Sequence, residues 1–435
     1  MECVDEDACS VASCESATGC VQEPLYEGCE VVEVTCDDGL DNDLDDLIDC
    51  LDDGCYADCC ADGAQSGTET GVDCGGACLA CPGEPCVDTV DCAQGWCDED
   101  GLCKVPKTYY WVGGSGAWSD YANHWATSSG GAEFHASVPR NVDDVIFDAA
   151  SFAADGATVE LDMLEARCRH LDFTGVTHAP TITGEAGKEL QIYGDLLLSD
   201  AMNWASTGTI LFTGSGGKSV DSKGISLAAQ EIRFDHPLGV WTLASPLVAT
   251  NGYLFVDQGG FFTSSQALTI RRFLSNTTLE RTIGLEDSTV TLGQFWFMSP
   301  SEGLTFDAGT STVVWNASNT LSFNGGSAVF HALEVSTPSG VVYIHDDTTF
   351  ATIKKTGEGE LRATQNITVT DSLQATDGTL TFAGSSDIAH LELSPGMFWN
   401  LGSGGTHQLE TLDATGNCTE HIVVHATESG EPANL

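Results

Sequence analysis

From about residue 109 onward, apolar and polar positions alternate in short runs that stop at Gly, Asp, Asn or Ser. Thr158-Val159-Glu160-Leu161, Thr209-Ile210-Leu211-Phe212 and Thr312-Val313-Val314-Trp315 are examples. A period of two is the signature of a strand with one buried face, and no helical period competes with it. Pieces of the form strand, Gly-turn, strand recur about every 20 to 25 residues, which predicts the rungs of a right-handed parallel β-helix. An array of β-sandwiches is the alternative. More than 300 residues with few charges favour the solenoid, whose stacked core grows with length.

The first 103 residues have a different texture. They carry 17 of the 19 cysteines and 28 Asp plus Glu, without a single Lys or Arg. So small a segment cannot bury enough apolar surface to order itself, so disulfides must staple it, which requires an oxidising compartment. The expected fold is therefore an all-β right-handed parallel β-helix (β-solenoid) preceded by small disulfide-rich, loop-dominated calcium-binding modules. The expected organisation is a Cys-rich repeat over 1–35, an Asp-rich calcium module over 36–59 and two further Cys-rich modules over 60–103. A linker over 104–108 leads to the solenoid over 109–415, and 416–435 opens a further, truncated module.

A net charge of −28 on the first 103 residues, with no compensating bases, makes nucleic acid and anionic lipid poor partners. No stretch approaches the roughly 20 apolar residues that cross a bilayer. Met1-Glu2-Cys3-Val4-Asp5 lacks the basic and apolar regions of a signal peptide, so export implies that Met1 lies inside a longer chain.

The densest chemistry lies between Cys36 and Cys59. Asp41, Asp43 and Asp45 place carboxylates at positions 1, 3 and 5 of an EF-hand-like loop. Leu47 would offer its carbonyl at position 7, Asp49 stands at 9 and Asp52 at 12. Calcium takes six to eight hard oxygen ligands at variable geometry, and this set supplies them. Asp46 replaces the usual turn glycine and Asp52 replaces the longer bidentate Glu, so a weak structural site of about 10⁻⁴ to 10⁻³ M is expected. Cys78-Leu79-Ala80-Cys81 has the spacing of a zinc knuckle or a redox pair. However, residues 1–103 hold no histidine and no base to lower a thiol pKa, which favours structural disulfides. With 17 cysteines one is left over, and Cys29 is the candidate.

These motifs carry resemblances. "CDDGLDNDLDDLIDC" resembles segments of exported proteins of myxobacteria and their relatives, and the resemblance implies metal binding. "CVDEDACSVASCESATGC", with Cys3, Cys9, Cys14 and Cys20, is similar to repeats of secreted bacterial and slime-mould matrix proteins. "CADGAQSGTETGVDCGGACLAC" and "CVDTVDCAQGWCDEDGLC" resemble a pair common in secreted bacterial surface proteins. "YYWVGGSGAWSDYANHWATSSGG", followed by "VPRNVDDVIFDAASF", resembles the opening of large repeat-bearing exported proteins of Bacteroidetes and other marine or soil bacteria.

Candidate chemistry in the β region is sparse. Trp111, Trp118, Trp125, Trp241, Trp296 and Trp315 invite a sugar-stacking role, but aromatics beside Gly-rich turns more often fill a core. Asp143 and Asp144 fit a turn-and-cap role. The bases Arg167, Arg169, Arg271, Arg272, Lys354 and Lys355 are scattered, and Arg271 and Arg272 should point to opposite faces of a strand. The 11 histidines, His421 and His425 among them, lack metal-ligand spacing and read as surface or turn residues. Cys168 and Cys418 read as buried free thiols, with pairing of Cys418 in a following module as the alternative.

The sequence thus points to an extracellular structural or adhesive surface protein, calcium-stabilised and not an enzyme. A polysaccharide-binding or polysaccharide-degrading β-helix protein is the competing reading. Extracellular polysaccharide, other surface proteins and self-assembly are the expected partners.

Overall fold

The computed structural model describes residues 10–15, 19–24, 36, 41, 47–61, 63–65, 68–76, 78–87, 89–98, 100–316 and 320–427. The chain divides into two units, Met1–Lys107 and Thr108–Leu435. It is all-β, with 3% helix and a β-solenoid of about 12 turns.

The first unit has little regular structure. Strands Ser10–Glu15 and Gly19–Pro24 form an antiparallel hairpin in which Cys14 stands opposite Cys20. Short helical turns cover Asp49–Leu51, Asp53–Cys55 and Tyr56–Cys59, and Trp96–Cys97 pairs antiparallel with Cys103–Lys104. Six disulfides join the described residues: Cys36–Cys55, Cys50–Cys59, Cys60–Cys78, Cys74–Cys81, Cys86–Cys97 and Cys92–Cys103. None of these six crosses the boundaries after Cys59 or after Cys81. Each loop is short, and closing it removes on the order of 2 to 4 kcal/mol of unfolded-chain entropy. These crosslinks supply order that a segment with so few apolar residues lacks.

The second unit opens with an aromatic cap. Thr108–Trp111 pairs antiparallel with Trp125–Ala126 and parallel with Asp144–Ile146. Tyr109, Trp111, Trp118, Trp125 and Phe147 are all buried, and Phe147 stacks on Phe173 of the next turn at 4.1 Å. The "WVGGSG" spacing has a direct cause here. Gly113 and Gly114 adopt positive φ, and a Cβ on Gly116 would collide with the His124 ring, which itself lies flat on Trp111 at 4.5 Å.

Beyond the cap, parallel ladders run the length of the unit. Equivalent residues on successive turns are 19 apart at Tyr253↔Arg272 and 27 apart at Phe295↔Ser322. Parallel pairing at this spacing is a solenoid and not a sandwich array. The three alternating runs form strands Thr158–Glu160, Thr209–Phe212 and Thr312–Trp315, with every second side chain buried. The inward residues stack in columns. One runs Ile232, Leu254, Phe273, Trp296, Phe323, Ile344, each the register partner of the next. Phe273 lies parallel to Trp296 at 4.2 Å, and Trp296 to Phe323 at 5.9 Å.

Burial of each large apolar side chain contributes about 1.5 to 3 kcal/mol. A Trp296→Ala substitution removes the ring between two stacked neighbours and should lower unfolding free energy by about 3 to 5 kcal/mol. Leu238→Ala, at a residue 63% exposed, should stay within about 0.5 kcal/mol of the parent. Urea unfolding followed by far-ultraviolet circular dichroism reads both.

Candidate functional site

Four of the six expected calcium ligands are described: Asp41, Leu47, Asp49 and Asp52. Asp43 and Asp45 lie outside the described residues. Asp49 adopts a positive φ at the start of its helical turn, and its carbonyl accepts the Asp52 amide at 3.0 Å. Asp52 is buried, and its Oδ1 accepts the Gly54 amide at 2.5 Å. Asp52 therefore caps a turn through this oxygen. The Cys36–Cys55 and Cys50–Cys59 bridges interleave around this segment. Carboxylates held on a stapled loop are hard donors of the kind calcium takes.

From Cys36 to Cys103 every cysteine is committed to a disulfide. Cys78 pairs with Cys60 and Cys81 with Cys74, so Cys78-Leu79-Ala80-Cys81 is neither a dithiol pair nor a set of thiolate ligands. The same holds for the close group Cys86, Cys92 and Cys103, each already in a disulfide. Cys29 lies outside the described residues. Beside these bridges Glu84 accepts hydrogen bonds from the Thr70 hydroxyl and the Cys81 amide, which hold its carboxyl below the usual carboxylate range.

In the solenoid the six tryptophans singled out by the sequence are all buried, so they build the core and are not a stacking platform. Part-exposed aromatics appear on a different column. Its outward residues, partner to partner, are Glu231, Tyr253, Arg272, Phe295, Ser322, Tyr343 and Arg362. Arg272 lies over the Tyr253 ring at 4.4 Å and within 5.7 Å of Phe295. Its Nε donates to Gln294 Oε1 at 2.8 Å.

Arg271 and Arg272 correct the sequence expectation of opposite faces. The ladder shifts register between Ile270 and Arg272, and the burial pattern of Leu268–Ser275 gives two consecutive outward residues there. Both guanidiniums approach the same ring, with Arg271 5.9 Å from Tyr253. Strict alternation fails where a bulge-like irregularity adds a residue and bends the strand. A shallow cleft of about 200 Å³ opens beside them, lined by Arg272, Gln294, Phe295, Thr320 and Ser322.

The remaining candidates serve the fold. Asp143 is buried and accepts the Arg140 amide at 3.0 Å, while Asp144 holds Arg169 through two hydrogen bonds of 2.8 and 2.6 Å. Arg167 pairs with Glu165 and Gln191. Arg233 bridges Glu231 and Asp257, and burial raises the Asp257 carboxyl above its ordinary value despite the guanidinium at 2.6 Å. Two histidines depart from the surface expectation. His124 and His407 are buried, bonded respectively to the Val112 carbonyl at 2.7 Å and to Ser386 Oγ at 3.0 Å. Cys168 is a buried thiol in the column with Ile192 and Phe212, and burial pushes its pKa up. Cys418 is unpaired but exposed, contrary to the expectation of burial.

Lys355 is the most unusual group, and sequence alone offered no sign of it. It is fully buried in an inward column, between Val335 and Ala375. Its Nζ donates to the carbonyls of Gly357 at 2.5 Å and Asp377 at 2.8 Å.

No family model, curated protein or solved structure matches this chain. What the geometry defines is a disulfide-rich module joined to a β-solenoid, a combination compatible with an extracellular structural protein.

Burial lowers the Lys355 pKa to about 8 from 10.5. The unfolded chain then binds more protons than the folded one between these values, so stability rises as pH increases through that window. The parent should gain stability relative to Lys355→Met between pH 8 and pH 10, read as denaturant midpoints. Parallel pH curves for the two proteins would refute the lowered pKa.

Proposed function

We propose that the chain is an extracellular structural and adhesive surface protein in which a calcium-binding, disulfide-stapled unit is joined to a β-solenoid scaffold. The observation that carries this reading is the contrast between the two units. One has no basic residue in 103 positions and depends on crosslinks, and the other buries its own stacked core. Six disulfides support an oxidising location, and export follows from it. The resemblance of the Cys-rich motifs to secreted bacterial surface proteins points the same way.

Calcium enters as a stiffening ion. Acidic side chains confined by Cys36–Cys55 and Cys50–Cys59 repel one another, and a divalent cation relieves that repulsion while fixing the loop. Asp41, Asp43, Asp45, the Leu47 carbonyl, Asp49 and Asp52 form the proposed ligand set. Among the described residues no long helix flanks the loop, so the ion's proposed role is mechanical.

Calorimetric titration of the oxidised protein tests this. Saturable binding at about 10⁻⁴ to 10⁻³ M is expected, with a higher melting point of the first unit that chelator reverses. Asp41→Ala with Asp43→Ala should abolish both effects. Absence of binding at millimolar calcium would remove the ion from the scheme. Thiol reduction should melt the first unit and leave the solenoid transition in place, because no described disulfide lies beyond Cys103.

A further inference from the structure

We infer that the corner around Arg271 and Arg272 is a binding site for a linear acidic polysaccharide carrying uronate carboxylates. This deepens the adhesive reading and rests on it, but the evidence is independent of calcium.

The first observation is electrostatic. The chain holds 15 Lys and Arg against 65 Asp and Glu. Arg167, Arg169, Arg233 and Arg362 each bind a carboxylate of their own unit. Arg271 and Arg272 do not: among the described residues neither forms an ion pair. In so acidic a molecule, two adjacent guanidiniums without a carboxylate partner make a local positive site. Each offers a planar fork of donors that matches a carboxylate.

The second observation is the surface on which they stand. Tyr253 and Phe295 flank Arg272 on the turns before and after, in the same outward column. Turns are spaced by about 4.8 Å, which puts the two rings about 10 Å apart along the solenoid. Rings of this kind stack against the apolar faces of sugars. On the turn after Arg271 stands Gly293, which has no side chain, and a Cβ built there would touch the Arg271 backbone at 3.3 Å. The cleft beside Arg272 adds Gln294 and Ser322 as polar groups for ring hydroxyls.

Together these place Arg272 between two aromatic rings, with Arg271 beside it, on one outward face. A peptide carboxylate would satisfy the arginines alone. A chain of acidic sugars satisfies the arginines and both rings with one repeating unit, and a neutral glycan leaves the guanidiniums desolvated and unpaired.

Affinity electrophoresis of the full chain in gels containing polygalacturonate, dextran or dextran sulfate tests the assignment. Chelator is present throughout, so calcium cannot bridge the acidic unit to the glycan. Retardation by polygalacturonate, weakened by salt and absent with dextran, is expected. Arg271→Gln with Arg272→Gln should weaken it about tenfold or more while leaving the solenoid folded. Arg271→Gln alone is the milder variant should the double one misfold, since the Arg271 side chain makes no hydrogen bond among the described residues; it too should weaken retardation. No retardation by polygalacturonate, retardation by dextran sulfate only, or retardation undiminished in the arginine variants would each overturn the site. The calcium-dependent melting would then still decide the scaffold reading.

Discussion

In-register parallel stacking is the constraint on which the rest of the solenoid depends. Because each turn hydrogen-bonds to the next, a residue facing inward is surrounded by its own equivalents above and below, at a distance fixed by the backbone. Phe147 on Phe173, Phe212 on Phe234 and Phe273 on Trp296 stack at 4.1 to 4.9 Å for this reason. The same geometry has a cost. The indole N–H groups of Trp241, Trp296, Trp315 and Trp399 find no acceptor among the described residues, because the columns beside them present hydrocarbon. Burial of a ring this large outweighs one unmade hydrogen bond.

Two long basic side chains turn inward where turn carbonyls can satisfy them. Lys355 reaches past its column to two carbonyls, and Arg281, 2% exposed, donates to the carbonyls of Leu279, Glu302 and Pro300 as well as to Ser275 Oγ. Turn carbonyls are orphaned where ladder pairing lapses, so a long basic side chain from a neighbouring strand repairs a deficit that a strand of leucines would leave. A charge with such partners stays buried, but desolvation still disfavours its ionised form, which is why the Lys355 pKa falls.

Much of this architecture was legible in the sequence because its signal is local. Period-two alternation reports one buried face, and the Gly-turn recurrence reports the repeat; both are properties of a single turn. The placement of the tryptophans in the core followed from the same pattern. The corners were not legible. Alternation predicts that Arg271 and Arg272 diverge, and nothing local marks the register shift that turns both outward. His124 and His407 were misjudged as surface groups because their burial depends on Trp111 and Ser386, reached through the fold and not the sequence. Disulfide partners were equally hidden: adjacent Cys59 and Cys60 pair in opposite directions along the chain, to Cys50 and Cys78. Of the acidic loop, the residue types were readable, while the structure adds the turn that Asp52 caps.

The two units answer the same electrostatic problem in different ways. Within the solenoid, acids outnumber bases, but outward columns are spaced turn by turn, and several arginines sit within reach of carboxylates on their own or the neighbouring turn. Repulsion is thereby spread along a rigid face and partly neutralised at each step. The first unit has no base before Lys104, so its compact state relies on covalent closure and on ionic screening of its carboxylates. One unit is consequently sensitive to redox potential and ionic composition, and the other to the packing of its columns. That separation leaves the solenoid free to vary its outward residues, since an arginine or tyrosine exposed at a corner alters the surface without disturbing the stack that holds it.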